Sequence, residues 1–316
     1  MGSRRSETIE LIIIAGILLL YCLFTFQRNL VWKDEISLWS DTAEKSPMKY
    51  RPHANLGIEY AGKKDYDRAM AELTLALRIK PNAERAYLSM GRILQEKRQF
   101  DKAVFCYKKA LEIAPDFSEA FISLGSAYEE QGMPDMALPQ YEEALRKAPE
   151  NPMTLVNIGS ALQKKGMFEE AVRYYNRALE ISADLPRAWY NLGLAYDEKG
   201  LLDQAEGYYQ HALGLKPDYP QALSNLGVIE AKRGRIGDAA RLFEKAVEID
   251  PNDVINLLNL GFAYEELATQ LGHSSGDEVR KYRAGAFETY QRVLQIAPDN
   301  PTARERIEAL RLSGGG

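Results

Sequence analysis

Cysteine and histidine are scarce in this chain of 316 residues: Cys22 and Cys106 are the two cysteines, and His53, His211 and His273 the three histidines. Two cysteines so far apart supply neither a disulfide framework nor zinc-ligand spacing, and the histidines form no metal-ligand pair at helical spacing. No metal and no cofactor is expected. An excess of basic charge is also missing, since 40 Lys and Arg face 45 Asp and Glu, for a net charge of −5. A general nucleic-acid binder needs clustered Lys and Arg to neutralise phosphates, so nucleic acid is excluded as a partner. Disorder is excluded too, because 46% of the residues are apolar.

Catalytic motifs are absent as well. No Ser-His-Asp or Cys-His arrangement follows from spacing. The segment Gly57-Ile58-Glu59-Tyr60-Ala61-Gly62-Lys63 fits a phosphate loop in letters, yet Lys64 stands where a magnesium-binding hydroxyl is needed and no strand precedes it. An enzyme is not expected. The acidic pairs Glu129-Glu130, Glu142-Glu143 and Glu265-Glu266 read as solvated helix faces, and Cys106 as a buried apolar residue.

What is present begins with one long apolar run. Leu11 to Phe26 holds no charge, and residues 8–27 would extend about 30 Å as a helix, enough to cross a bilayer. Arg4 and Arg5 precede it, and no small-residue cleavage site follows before Gln27-Arg28-Asn29. The expectation is a short tail over 1–7, then one uncleaved transmembrane helix over 8–27 that contacts membrane lipid.

The rest of the chain repeats itself. Gly57, Gly91, Gly125, Gly159, Gly193, Gly227 and Gly261 are each 34 residues apart, and a fixed period of this length marks a repeat array. In the first six units Ala follows each glycine at twelve and nineteen residues, as in Ala69 and Ala76 or Ala205 and Ala212. Proline stands at twenty-four, as Pro81, Pro115, Pro149, Pro217 and Pro251, with Ala183 in the remaining place. Between the alanines lie Leu73, Tyr107, Tyr141, Tyr175, Tyr209 and Phe243. A glycine inside a helix costs about 1 kcal/mol relative to alanine, so its recurrence implies that a second backbone approaches there. Proline cannot continue a helix and closes each unit. Pro139 breaks the pattern and predicts a local distortion. In the seventh unit Ala286, Tyr290 and Pro298 come thirteen residues late, with the polar run 272–277 as an inserted loop.

These residues resemble the tetratricopeptide repeat, above all in Trp189-Tyr190-Asn191-Leu192-Gly193-Leu194-Ala195-Tyr196 and Tyr209-Gln210-His211-Ala212-Leu213. The resemblance implies an all-α, right-handed superhelical solenoid of seven repeats over 50–300. A half repeat over 28–47 precedes it, with Trp39 in the aromatic place, and a cap helix over 301–312 and a flexible tail over 313–316 follow. In this family the first helix of each repeat lines a concave groove that holds peptides. Here Asn55, Asn157, Asn191, Asn225 and Asn259 stand two residues before their glycines, and a row of amides bonds a peptide main chain whatever its sequence. Tyr190 and Leu194 are added as groove residues, and Ala54, Leu88, Ile122, Val156, Ser224 and Leu258 are neighbouring groove positions.

The junction from Gln27 through Leu38-Trp39-Ser40-Asp41 to Arg51-Pro52 is similar to the point where protein O-mannosyltransferase-like membrane proteins pass from their last membrane helix into extracytoplasmic repeats. That likeness implies a single-pass protein with its repeats on the periplasmic or another extracytoplasmic side. The expected function is a membrane-anchored scaffold that binds protein or peptide partners and supports assembly of a complex. Two alternatives stand beside it: a non-catalytic portion that presents acceptor polypeptide to a glycosyltransferase, and a structural subunit that assembles as a homo-oligomer or filament.

Overall fold

The computed structural model describes residues 14–22, 25–26, 32–272 and 276–313. Regular structure among them is all α-helix, and the chain falls into two compact units that part between Pro149 and Glu150. The first unit holds α1 (Glu35–Lys45) and three helix pairs: α2 (Tyr50–Gly62) with α3 (Tyr66–Ile79), α4 (Glu84–Glu96) with α5 (Phe100–Ile113), and α6 (Ser118–Glu130) with α7 (Pro134–Lys147). The second unit holds four pairs: α8 (Pro152–Lys164) with α9 (Phe168–Ile181), α10 (Pro186–Glu198) with α11 (Leu202–Leu215), α12 (Pro220–Lys232) with α13 (Ile236–Ile249), and α14 (Val254–Leu271) with α15 (Gly276–Ile296). It ends with α16 (Pro301–Ser313), which packs on α15.

Six of the seven pairs are held by one aromatic ring seated on one glycine, and the first by a leucine in the same place. A Cβ placed on Gly125 would lie 2.6 Å from Cε1 of Tyr141, and one on Gly193 would lie 2.5 Å from the ring of Tyr209. Gly91, Gly159, Gly227 and Gly261 face Tyr107, Tyr175, Phe243 and Tyr290 in the same way, and Gly57 faces Leu73. The close approach expected from a second backbone is therefore made chiefly by a side chain. Tyr107, Tyr141, Tyr175, Tyr209 and Tyr290 are all fully buried or within 1% of it. A buried aromatic side chain removes 150–250 Å² from water, which offsets the low helix propensity of the glycine beneath it. The alanines at twelve and nineteen residues are also fully buried, and let the second helix lie close.

The turns inside the pairs are set by a left-handed residue. After α10, the N–H of Gly200 bonds Asp197 O at 2.8 Å and that of Leu201 bonds Tyr196 O at 2.9 Å, with Gly200 at φ +75°. This two-bond closure satisfies carbonyls that the helix end would leave open. Gly132, Gly166 and Gly234 repeat it, while Lys64 and Arg98 take the same conformation with side chains. Pro139 lies inside α7, which continues through it as one helix, so the expected distortion does not break the element. The insertion in the seventh pair lengthens both its helices, to 18 and 21 residues.

The half repeat is anchored by polar contacts as well as by packing of α1 on α2. Asp34 caps α1 through Ser37 N at 2.8 Å and meets Lys63 Nζ at 3.1 Å. Buried His53 contacts Glu72 Oε2 at 2.7 Å and Pro47 O at 3.1 Å. Trp39 is half-buried, unlike the later tyrosines, and residues 28–31 lie outside the described residues.

The expectation of a transmembrane helix over 8–27, with a single-pass membrane location, is corrected. No helix among the described residues is long and apolar enough to cross a membrane. Of that stretch, residues 14–22 and 25–26 are described, and all of them are helical. Residues 1–13, 23, 24 and 27, and the tail at 314–316, lie outside the described residues.

Candidate partner-binding face

Within each unit the first helices of successive pairs lie side by side, α2 with α4 and α4 with α6 in one, α8 with α10 and α12 with α14 in the other. The asparagines of the 34-residue register sit along this seam in unequal environments. Asn157 and Asn191 are buried, with 7% and 8% exposure, whereas Asn55, Asn225 and Asn259 are half-buried. Asn157 Oδ1 accepts from the guanidinium of Arg187 in the next first helix. Asn225 Nδ2 donates to the hydroxyls of Tyr190 at 3.4 Å and Tyr209 at 3.3 Å, and Asn259 Nδ2 to Ser224 Oγ at 3.5 Å. Asn55 lines a cleft of about 340 Å³ with Tyr50, Ile58 and Arg85, and Asn259 lines another of about 530 Å³.

Tyr190 and Leu194 are half-buried and pack against the same cluster as Tyr209, Leu226 and Ile229. The Tyr190 ring stands 4.9 Å from that of Tyr219 and 5.8 Å from that of Tyr209. Burial, and then the neighbouring Tyr219, push its hydroxyl pKa up to about 12, so Tyr190 is a neutral donor and acceptor at any physiological pH. The positions three before each glycine are more enclosed than expected: Ala54, Leu88, Val156 and Ser224 are buried between adjacent helices. Side chains one and four places after the glycine occupy the more open part of the face, among them Ile58, Arg92 and Leu194.

The position four after the glycine carries a second register. Tyr107 donates its hydroxyl to Gln95 Oε1 at 2.8 Å, Tyr141 to Glu129 Oε2 at 2.8 Å, and Tyr175 to Gln163 Oε1 at 3.0 Å. Asp197 and Glu265 occupy the same place in the units of Tyr209 and Tyr290. Where the ring has no hydroxyl, at Leu73 and Phe243, the corresponding residue is Ala61 or Ala231. A buried hydroxyl needs a partner, and a partner is present only where the hydroxyl is. Glu129 is thus not simply a solvated surface acid, as its position beside Glu130 suggested, but is held from below by the core. Glu265 departs from the series only in being shared: its Oε2 lies 3.4 Å from Arg306 Nη1, while burial, and then the Glu265 carboxylate beside it, raise the pKa of the Tyr290 hydroxyl.

The remaining candidate groups are spread out. Cys106 is buried, and burial lifts its thiol pKa to about 11, far from a reactive thiolate. Among the described residues no three of His, Cys, Asp and Glu come together as a metal site. His211 stacks on Trp189 with ring centroids 4.8 Å apart, and His273 lies outside the described residues.

No curated protein matches the chain by sequence. Among solved structures, yeast Tom70 superposes with a TM-score of 0.66 at 15% identity, over 88% of this chain and 58% of that one. The APC/C hetero-tetramer Cut9–Hcn1 gives 0.65 at 16% identity over 87% and 52%, so this chain spans little more than half of either. Pseudomonas aeruginosa PilF gives 0.57 at 19% identity over 74% of this chain and 98% of that one. These are likenesses of fold. The repeat itself is matched in sequence at residues 50–83, 84–117, 106–138, 151–218 and 190–254, each by a family model described as tetratricopeptide repeat. With that coverage, and with a large apolar side chain seated on the glycine of each of the seven helix pairs, the chain belongs to the tetratricopeptide-repeat family.

Proposed function

We propose that the chain is a non-catalytic scaffold whose first-helix faces hold an extended segment of a partner protein. The observation that carries this is the placement of Asn55 and Asn259 on the walls of open clefts, with Asn225 half-exposed between Tyr190 and Tyr209. An amide both donates and accepts, and so matches a peptide main chain at any residue. Apolar contacts from Ile58 and Leu194 beside these amides give side-chain preference without requiring a charge at the partner's terminus. Asn157 contributes through Arg187, whose guanidinium it orients.

The experiment is selection of peptides from a random display library on the full chain, followed by photo-crosslinking from each peptide position. Crosslinks should fall on the first helices α2, α4, α6, α8, α10, α12 and α14, near Asn55, Leu194, Asn225 and Asn259. Crosslinks confined to second helices, or a library that yields no binder, would overturn the proposal.

A further inference from the structure

Six places before the repeat glycine, in the first turn of the first helix, stand Arg51, Arg85 and Arg187. Arg85 and Arg187 each follow an asparagine of the preceding unit, Asn55 and Asn157, by thirty residues, so one amide and guanidinium pairing occurs at two places on the face. At Asn157 the pair is closed by a hydrogen bond from Arg187. At Asn55 it is open. Asn55 and Arg85 line the cleft of about 340 Å³ between α2 and α4, together with Tyr50, Arg51 and Ile58, and no hydrogen bond joins the two.

The charge of this cleft is opposite to that of the chain, whose net charge is −5. Arg51 and Arg85 are both exposed, and Lys80 Nζ stands 4.5 Å from the centre of the Tyr50 ring. Among the described residues none of these three cations has a carboxylate partner. Arg51 Nε and Lys80 Nζ donate instead to the Tyr50 hydroxyl, at 3.5 and 3.4 Å, whereas Arg68 and Arg146 of the same unit are neutralised by Asp65 and Glu143. Arg51, and then Lys80, hold the Tyr50 hydroxyl below its ordinary pKa of 10.0, the direction that neighbouring positive charge imposes. The acid in the walls, Glu84, lies in the first turn of α4, where a carboxylate offsets the positive end of its own helix. The first turn of α2 holds no acid, and its N-cap, Lys49, makes no side-chain cap bond. An added carboxylate would therefore meet two guanidinium groups free of acidic partners, while an added cation would meet an excess of like charge. The planar fork of a guanidinium also matches the two oxygens of a carboxylate.

We propose that the cleft between α2 and α4 takes an aspartate or glutamate side chain of the bound partner segment, with Arg51 and Arg85 pairing its carboxylate beside the main chain held by Asn55. The inference rests on the partner-binding reading above and adds the side-chain class that the first unit selects.

The test uses peptides selected on the full chain and synthesised with an amidated C-terminus, so that any carboxylate comes from a side chain. One peptide position should be enriched in Asp or Glu, and changing that residue to Asn or Gln should weaken binding to wild type by about tenfold or more. The same change should have little further effect on the double variant Arg51→Gln, Arg85→Gln. Arg68→Gln, which removes an arginine of the same unit that is already paired, should leave the preference for the acidic peptide intact. The acid-to-amide change is made in the peptide, so its effect on wild type does not depend on how any protein variant folds. Selected peptides lacking an acidic position, binding that requires a free C-terminus, an acidic position that loses equally on wild type and the folded double variant, or a preference abolished by Arg68→Gln would each overturn this site and leave the general reading of the face standing. A library with no binder would overturn both.

Discussion

Tyr141 lies beneath Gly125 and donates a 2.8 Å hydrogen bond to Oε2 of Glu129, so one buried ring sets the spacing of α6 and α7 and also fixes a side chain on the partner-binding face. Removing the hydroxyl with Tyr141→Phe keeps the ring and loses the bond. The expected cost is about 1–2 kcal/mol in urea unfolding. No change in the unfolding midpoint would mean that the bond contributes nothing.

The same rule predicts a sign reversal in the sixth unit. Phe243→Tyr places a buried hydroxyl opposite Ala231, which offers no acceptor, and should destabilise by about 1–3 kcal/mol. Combined with Ala231→Gln, the new hydroxyl regains a partner, and the pair should show a favourable coupling of about 0.5–3 kcal/mol. Additive effects in the double-mutant cycle would show that the two positions are independent.

Two glycines in one helix–turn–helix should respond in opposite directions to alanine. Gly207 lies inside α11, with nothing within 4 Å of an added Cβ, so Gly207→Ala should stabilise by about 0.5–1 kcal/mol. Gly200 has equally open space but a φ of +75°, so Gly200→Ala should destabilise by about 1–2 kcal/mol. Thermal melts of the two variants should therefore shift to opposite sides of wild type.

Asp34 supplies a pH prediction. The backbone N–H of Ser37, then the Lys63 ammonium, hold its carboxyl pKa down to about 2 from an ordinary value of 3.8. A depressed folded-state value means that the stabilisation is fully present above the unfolded value and is lost as pH falls from 3.8 through about 2. An NMR titration of the Asp34 carboxyl should give a midpoint near 2. A midpoint near 3.8 would mean that the α1 cap is not formed in solution.

The repeat was legible because its period is imposed by packing. Seven glycines at one spacing, with an aromatic or Leu residue sixteen places on in six of the units, require the same helix pair seven times. The identity of the close contact was not legible, since a sequence does not reveal whether a glycine makes room for a backbone or for a ring, and Tyr290 was displaced in the chain by the insertion while keeping its place on Gly261. The asparagine row was visible by position, but burial of Asn157 and Asn191 was not, because it depends on how closely adjacent first helices pack. The second register was available all along in the co-occurrence of Tyr with Gln, Glu or Asp, and of Leu73 and Phe243 with Ala. The span over 8–27 was read from hydropathy, which counts apolar residues without fixing the structure they adopt, and no helix among the described residues is long and apolar enough to cross a membrane.

The most direct test of the central claim, that the first-helix amides hold a partner's main chain, is the affinity of a selected peptide for wild type and for the variant in which Asn157, Asn191, Asn225 and Asn259 are all alanine. Half-exposed Asn225 and Asn259 each contribute about 0.5–1.5 kcal/mol by a direct bond, and buried Asn157 acts through Arg187, so titration calorimetry should show affinity reduced by roughly fivefold or more. Melting should fall by a few degrees, because Tyr209 and Arg187 lose partners while little apolar volume is removed. Unchanged affinity in a folded quadruple variant would contradict the claim and leave these asparagines as packing residues of the seam.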